Sequence, residues 1–175
     1  MPNTFTLIAS STVGAGGASS IDFTSIPSTY TDLVIKGSTR IGTSNNYDGI
    51  FIKVNNSTAF QYADRTLYGS GSSAASIFNV VGDNNAGLYW LYTNGNNSTA
   101  STFGNFEIYV PNYAGSSQKS FSYDAVTENN ATASWANITA GLWNQTTAIN
   151  RITLTPNTST FQQYSTAYLY GIKNS

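Results

Sequence analysis

Eight carboxylates carry whatever acid–base chemistry this chain can perform: Asp22, Asp32, Asp48, Asp64, Asp83, Glu107, Asp124 and Glu128. A glycosidase needs two such groups about 5–9.5 Å apart across the scissile bond. No local motif couples any two of them, and most fall at strand ends or on polar strand faces. Two oxygen-rich loops, 45–49 (NNYDG) and 82–85 (GDNN), each hold one carboxylate. Calcium wants about six to eight oxygens, and turn formation by Asn, Asp and Gly accounts for both loops. The chain has no His and no Cys. That excludes zinc held by either residue, a Ser-His-Asp triad, a Cys nucleophile and a disulfide. The Ser-x-x-Lys spacing from Ser116 to Lys119 lies at a loop or strand start, not on a helix. No catalytic residue, metal or cofactor is expected, and the chain is not read as an enzyme.

Sugar or partner binding is the sharpest chemistry left. Aromatic faces stack on sugar rings and Asn amides pair with hydroxyls. Trp90 and Trp135 fall in strand-like stretches and read as core. Trp143, in the segment GLWNQ, reads as a loop residue that is either exposed or plugs one end of the fold. The candidate contact residues are therefore Trp143, Asn144, Tyr113, Asn96 and Asn97. The N-x-Ser/Thr matches at Asn55, Asn56, Asn96, Asn97, Asn130, Asn137, Asn144 and Asn157 are what a chain rich in Asn, Ser and Thr yields by chance. No secretory signal accompanies them.

The elements that must position these residues alternate with period two, and helical periodicity is missing. Strands are predicted at 4–9, 20–24, 32–40, 49–54, 77–81, 87–93, 102–110, 117–126, 132–138, 148–154 and 166–172. The first places Phe5, Leu7 and Ala9 on one face. In the third, Lys36, Ser38 and Arg40 oppose Leu33 and Ile35. Segment 59–68 (AFQYADRTLY) reads as a strand or as a short helix carrying Phe60, Asp64 and Leu67. Residues 10–19 and 69–73 read as flexible loops. The Asn94-Gly95 pair is a hairpin signal, and Pro111 and Pro156 close their strands. Segment 166–172 is apolar on both faces and reads as central. The expectation is one domain over residues 1–175, an all-β, antiparallel β-sandwich. It is jelly-roll-like, with about ten strands.

The composition agrees. Charged residues are 9% and net charge is −1, against about 25% charged in ordinary soluble domains. Twelve Tyr and nine Phe argue against disorder, which goes with few aromatics. No basic stripe is present to neutralise phosphates, so nucleic acid is not expected as a partner. No run approaches the roughly 20 apolar residues of a membrane span. A coat of neutral hydroxyls and amides lacks the charge repulsion that keeps monomers apart, which suits a protein held in an assembly.

Segment 20–40 (SIDFTSIPSTYTDLVIKGSTR) resembles a stretch of small structural proteins from marine bacteriophages. Further similar pieces are GNFEIYVPNYA at 104–114, ENNATA at 128–133, GLWN at 141–144, INRITLTP at 149–156 and AYLYGIK at 167–173. The resemblance implies a jelly-roll-like component of the virion, assembled in the bacterial cytoplasm. Its expected role is a capsid decoration or cement protein bound to the major capsid protein. It would self-associate as a homotrimer. The alternative is a receptor-binding tail-fibre or tail-tip domain holding host glycans.

Overall fold

The computed structural model describes residues 4–57, 60–71, 73–83, 86–130 and 133–173. Among them lie twelve strands and no helix: β1 (Phe5–Thr12), β2 (Ile21–Phe23), β3 (Asp32–Thr39), β4 (Tyr47–Val54), β5 (Tyr62–Ser70), β6 (Ser73–Asn79), β7 (Leu88–Asn94), β8 (Gly104–Val110), β9 (Lys119–Val126), β10 (Ala136–Trp143), β11 (Ile152–Pro156) and β12 (Thr166–Ile172). They form an eight-stranded antiparallel sheet, β1-β12-β3-β8-β9-β10-β5-β6, and a four-stranded one, β2-β11-β4-β7. The chain is thus the all-β antiparallel sandwich that its alternation predicts, with more strands than alternation alone picks out.

One apolar core lies between the sheets. The larger sheet contributes Leu33, Ile35, Ile108, Phe121, Tyr123 and Leu169. The smaller contributes Ile21, Phe23, Ile50, Ile52, Leu88 and Leu154. Each fully buried aliphatic side chain is worth about 1.5–3 kcal/mol, so a core of this size holds the fold without surface ion pairs. Strand β9 shows the underlying alternation most cleanly: Phe121, Tyr123 and Ala125 point in, while Ser120, Ser122 and Asp124 point out.

Several expectations are corrected. Of the two readings of segment 59–68, the strand holds from Tyr62 on: β5 runs Tyr62–Ser70, with Tyr62, Asp64 and Thr66 alternating with Arg65 and Leu67, and it pairs on both edges with β10 and β6. Of the region read as a loop at 69–73, Gly69 and Ser70 belong to β5 and Ser73 to β6, which begins before its apolar residues Ile77 and Phe78. Strand β1 runs on to Thr12, and a bulge between Leu7 and Ala9 breaks its facing, leaving Phe5 and Leu7 exposed. Asn94-Gly95 is not a hairpin, because β7 and β8 belong to different sheets. Strand β12 lies between β1 and β3, but its outward Tyr168 is 37% exposed, so only one of its faces is core.

Arg40 is buried instead of facing out with Lys36. Strand β3 ends one residue earlier, and the side chain turns into the loops at that end of the sandwich. Its guanidinium donates to the carbonyls of Thr99 (3.0 Å), Thr102 (2.7 Å), Ser98 (3.1 Å) and Asn96 (3.3 Å). At the opposite end Lys119 is also buried. Its Nζ donates to the carbonyls of Gly115 (2.7 Å), Ser117 and Thr146 (3.2 Å). Each end of the sandwich is thus organised around one cation satisfied by loop carbonyls. Burial lowers the pKa of both groups from their ordinary values.

Candidate interaction surface

The five contact residues predicted from sequence do not converge. Trp143 is the last residue of β10, not a loop residue, and is 2% exposed. Its Nε1 donates to Ser57 Oγ (3.0 Å) and Gln61 Oε1 (3.3 Å). Tyr113 is fully buried, and its hydroxyl donates to the Pro27 carbonyl. Asn144, beside Trp143, is half-buried, and its Oδ1 accepts from Gln145 Nε2. These three lie at the Lys119 end. Asn96 and Asn97 are exposed at the Arg40 end, where their amides donate to the carbonyls of Gly42 and Ser44. Trp135, just before β10, has its ring enclosed by Tyr68 at 4.1 Å, Tyr92 at 4.5 Å and Tyr47 at 5.4 Å. Neither Trp143 nor Trp135 offers an open face to a sugar.

The carboxylates are dispersed, and among the described residues no group of three or more could hold a metal ion. Asp48 accepts from the Gly49 amide (2.7 Å), Asn157 Nδ2 (3.1 Å) and Thr158 Oγ1. Segment 45–49, whose last three residues open β4, is therefore fastened by the chain's own donors. Loop 82–85 lies partly outside the described residues. Cross-strand register brings one pair of acids together that spacing does not show: Glu107 on β8 faces Asp124 on β9. Burial, and then the Glu107 charge, raise the Asp124 pKa; Lys36, 2.8 Å from Glu107, opposes this. The pair sits on the outer face of the large sheet.

That outer face changes character part-way across. One cross-strand row runs Tyr168, Lys36, Glu107, Asp124, Ile138, Leu67, Ser76. The row behind it on the inner face runs Leu169, Ile35, Ile108, Tyr123, Thr139, Thr66, Ile77. From β12 to β8 the sheet is apolar inside and polar outside. At β10 and β5 it is polar inside and apolar outside.

The polar inner face has a structural reason. Strand β7 is the edge of the smaller sheet, and its outer backbone groups are buried beneath β9, β10 and β5. Unpaired backbone groups in such a place are costly, and side chains replace the missing strand. Asp64 accepts from the Tyr89 amide (3.0 Å) and from Trp90 Nε1 (2.9 Å). The Tyr123 hydroxyl donates to the Tyr89 carbonyl (2.6 Å), and Asn137 Nδ2 to the Trp90 carbonyl (2.8 Å). A bulge opposite β4 and a left-handed Trp90, with φ of 63°, bring these groups within reach. Thr66 and Thr139 satisfy each other at 2.6 Å.

No such reason accounts for the apolar outer face. Leu67 is 62% exposed, Ile138 61%, Phe78 57% and Val126 42%. Between them small residues, Gly69, Ala74 and Ala136, leave a shallow groove of about 670 Å³. Arg65 is the one charge upon it among the described residues of β5, β6 and β10, with its guanidinium 4.8 Å from the centre of the Phe78 ring. A contiguous apolar patch of this kind makes this face the candidate interaction surface. Apolar residues alternating with polar ones do not reveal which set faces the core, so sequence reading missed it.

Comparison with family models, with curated proteins and with solved structures finds no match to this chain.

Proposed function

We propose that the chain is a structural subunit of a bacteriophage virion, a decoration or cement protein on the outer capsid shell. The observation that carries this reading is the exposed apolar face of β10, β5 and β6 on a chain with only 9% charged residues. Exposing Leu67, Ile138, Phe78 and Val126 to water is unfavourable, and a permanent neighbour removes that cost. The similarity of segment 20–40 and the later pieces to marine phage structural proteins supplies the kind of assembly. Strand order supports the jelly-roll part of the reading. With β5-β6 and β9-β10 set aside, the sheets read β1-β12-β3-β8 and β2-β11-β4-β7. That is the interleaving of two Greek keys that a jelly roll requires. The alternative role, a tail receptor-binding domain, rests on Asn96 and Asn97 standing exposed in the loops of one end.

Mass-spectrometric quantification in purified virions tests the assignment. Copies in fixed proportion to the major capsid protein support the shell. A handful of copies per particle supports the tail, and none overturns both.

A further inference from the structure

We infer that β6 is a self-pairing edge: two copies of this chain join along it, antiparallel, about a two-fold axis at Ser76. The large sheet of one copy would then continue into that of the other. This inference stands apart from the virion reading and holds for the isolated protein.

The sandwich has four edge strands, β1, β6, β2 and β7, and three are blunted. Strand β1 carries a bulge, β2 is only three residues long, and β7 is covered by the side chains of β5, β9 and β10. Strand β6 has none of these protections. It is seven residues long (SAASIFN), pairs with β5 without a register shift, and contains no charge and no proline. Edges in folded monomers are normally guarded by charges, prolines, bulges or brevity. Among the described residues no strand pairs with its outward side, which leaves a row of backbone donors and acceptors open to a further strand.

The sequence of β6 fits a second copy of itself. A two-fold at Ser76 sets Ala74 against the partner's Phe78 and Ala75 against the partner's Ile77. Small faces large in every off-axis apolar pair, on both faces of the sheet. The groove opens beside Ala74, between Gly69, Ala136 and Val126. The partner's Phe78 therefore arrives next to the depression that small residues leave. Charge does not oppose this pairing. Arg65 lies across from Phe78, so the two copies of Arg65 sit at opposite ends of the paired strands. The contact is a two-fold link and does not by itself close the trimer implied by the phage resemblance.

The chain has no Cys, so a single-cysteine variant reports one contact. Ser76→Cys should crosslink to a covalent dimer on mild oxidation or with a short bismaleimide, because directly opposed Cβ atoms lie about 4.5–5.5 Å apart. Ser122→Cys, exposed on β9 of the same sheet face, should give no covalent dimer under the same treatment. Sedimentation of the full chain should show a concentration-dependent dimer. Ala74→Lys, which puts a charge into the paired edge, should weaken it by about tenfold or more. Circular dichroism confirms that the variant is folded. A monomer at every concentration overturns the inference. So does a higher oligomer without the Ser76→Cys crosslink, or equal crosslinking of both cysteine variants.

Discussion

Two halves of one sheet obey opposite rules. In β3 and β8, Ile35 and Ile108 are buried while Lys36 and Glu107 meet in water at 2.8 Å. In β10 and β5, Thr139 and Thr66 are buried while Ile138 and Leu67 are exposed. Backbone pairing is regular across both halves, so strand propensity does not separate them. What differs is the neighbour on each side. The first half covers the apolar faces of the smaller sheet. The second covers the open edge of β7, which demands hydrogen-bonding groups. Once the polar residues are turned inward, the alternation of a strand sends the apolar ones outward. An inverted strand pair of this kind leaves its apolar side chains on the outer face.

The largest effect should come from the inner polar face. Asp64→Leu strands the Tyr89 amide, Trp90 Nε1 and Asn79 Nδ2. It should cost about 3–5 kcal/mol in urea unfolding. A loss under about 1 kcal/mol would mean that Asp64 does not hold the β7 edge.

Next comes a matched pair of truncations. Ile108→Ala should cost about 2–5 kcal/mol, as buried aliphatic truncations do. Ile138→Ala, on the exposed face, should change stability by no more than about 0.5 kcal/mol. If both destabilise the monomer alike, the two halves are not opposites.

Lys119→Met removes the donor shared by three loop carbonyls at one end of the sandwich. A cost of about 1–3 kcal/mol is expected, with faster hydrogen exchange in loop 111–118 and unchanged exchange in loop 95–103. Equal acceleration at both ends would show that the two cations do not act separately.

The smallest effect concerns pH. Burial raises the Asp64 pKa above 3.8, outweighing its hydrogen bonds. A raised folded value means that this group favours folding most below pH 3.8 and loses that contribution as pH rises through its folded pKa. Asp22 is the reverse. Burial alone would raise it, but hydrogen bonds from Ser20, Thr153 and Arg151, with the Arg151 charge, hold it below 3.8. Its contribution is present above 3.8 and is lost as pH falls through the folded value. In urea titrations, Asp64→Asn should abolish a stability gain on acidification from neutral toward pH 3.8, and Asp22→Asn should abolish a loss below it.

Much of the fold is legible in the residues. Leu33 and Ile35, Ile50 and Ile52, Phe106 and Ile108, and Phe121 and Tyr123 announce strands and a common inward face, and each pair is buried. Strand β6 is harder to read because Ser, Ala, Ala, Ser carries little strand preference; pairing with β5 makes it one. Trp143 misled because GLWNQ looks like a loop, whereas register with Tyr62 and Lys119 keeps it in β10. Gly95, beside Asn94, is required where the backbone passes close to the Asn45 carbonyl, and not for a hairpin.

The sequence by itself determined the class of the molecule. Alternation predicts an all-β antiparallel fold, and the missing His and Cys exclude thiol and imidazole chemistry. Only the tertiary structure decided which side of each strand faces in. A period of two separates two sets of side chains but does not choose between them. The choice depends on what lies across the gap: an apolar sheet for β3 and β8, and the hungry backbone edge of β7 for β10 and β5.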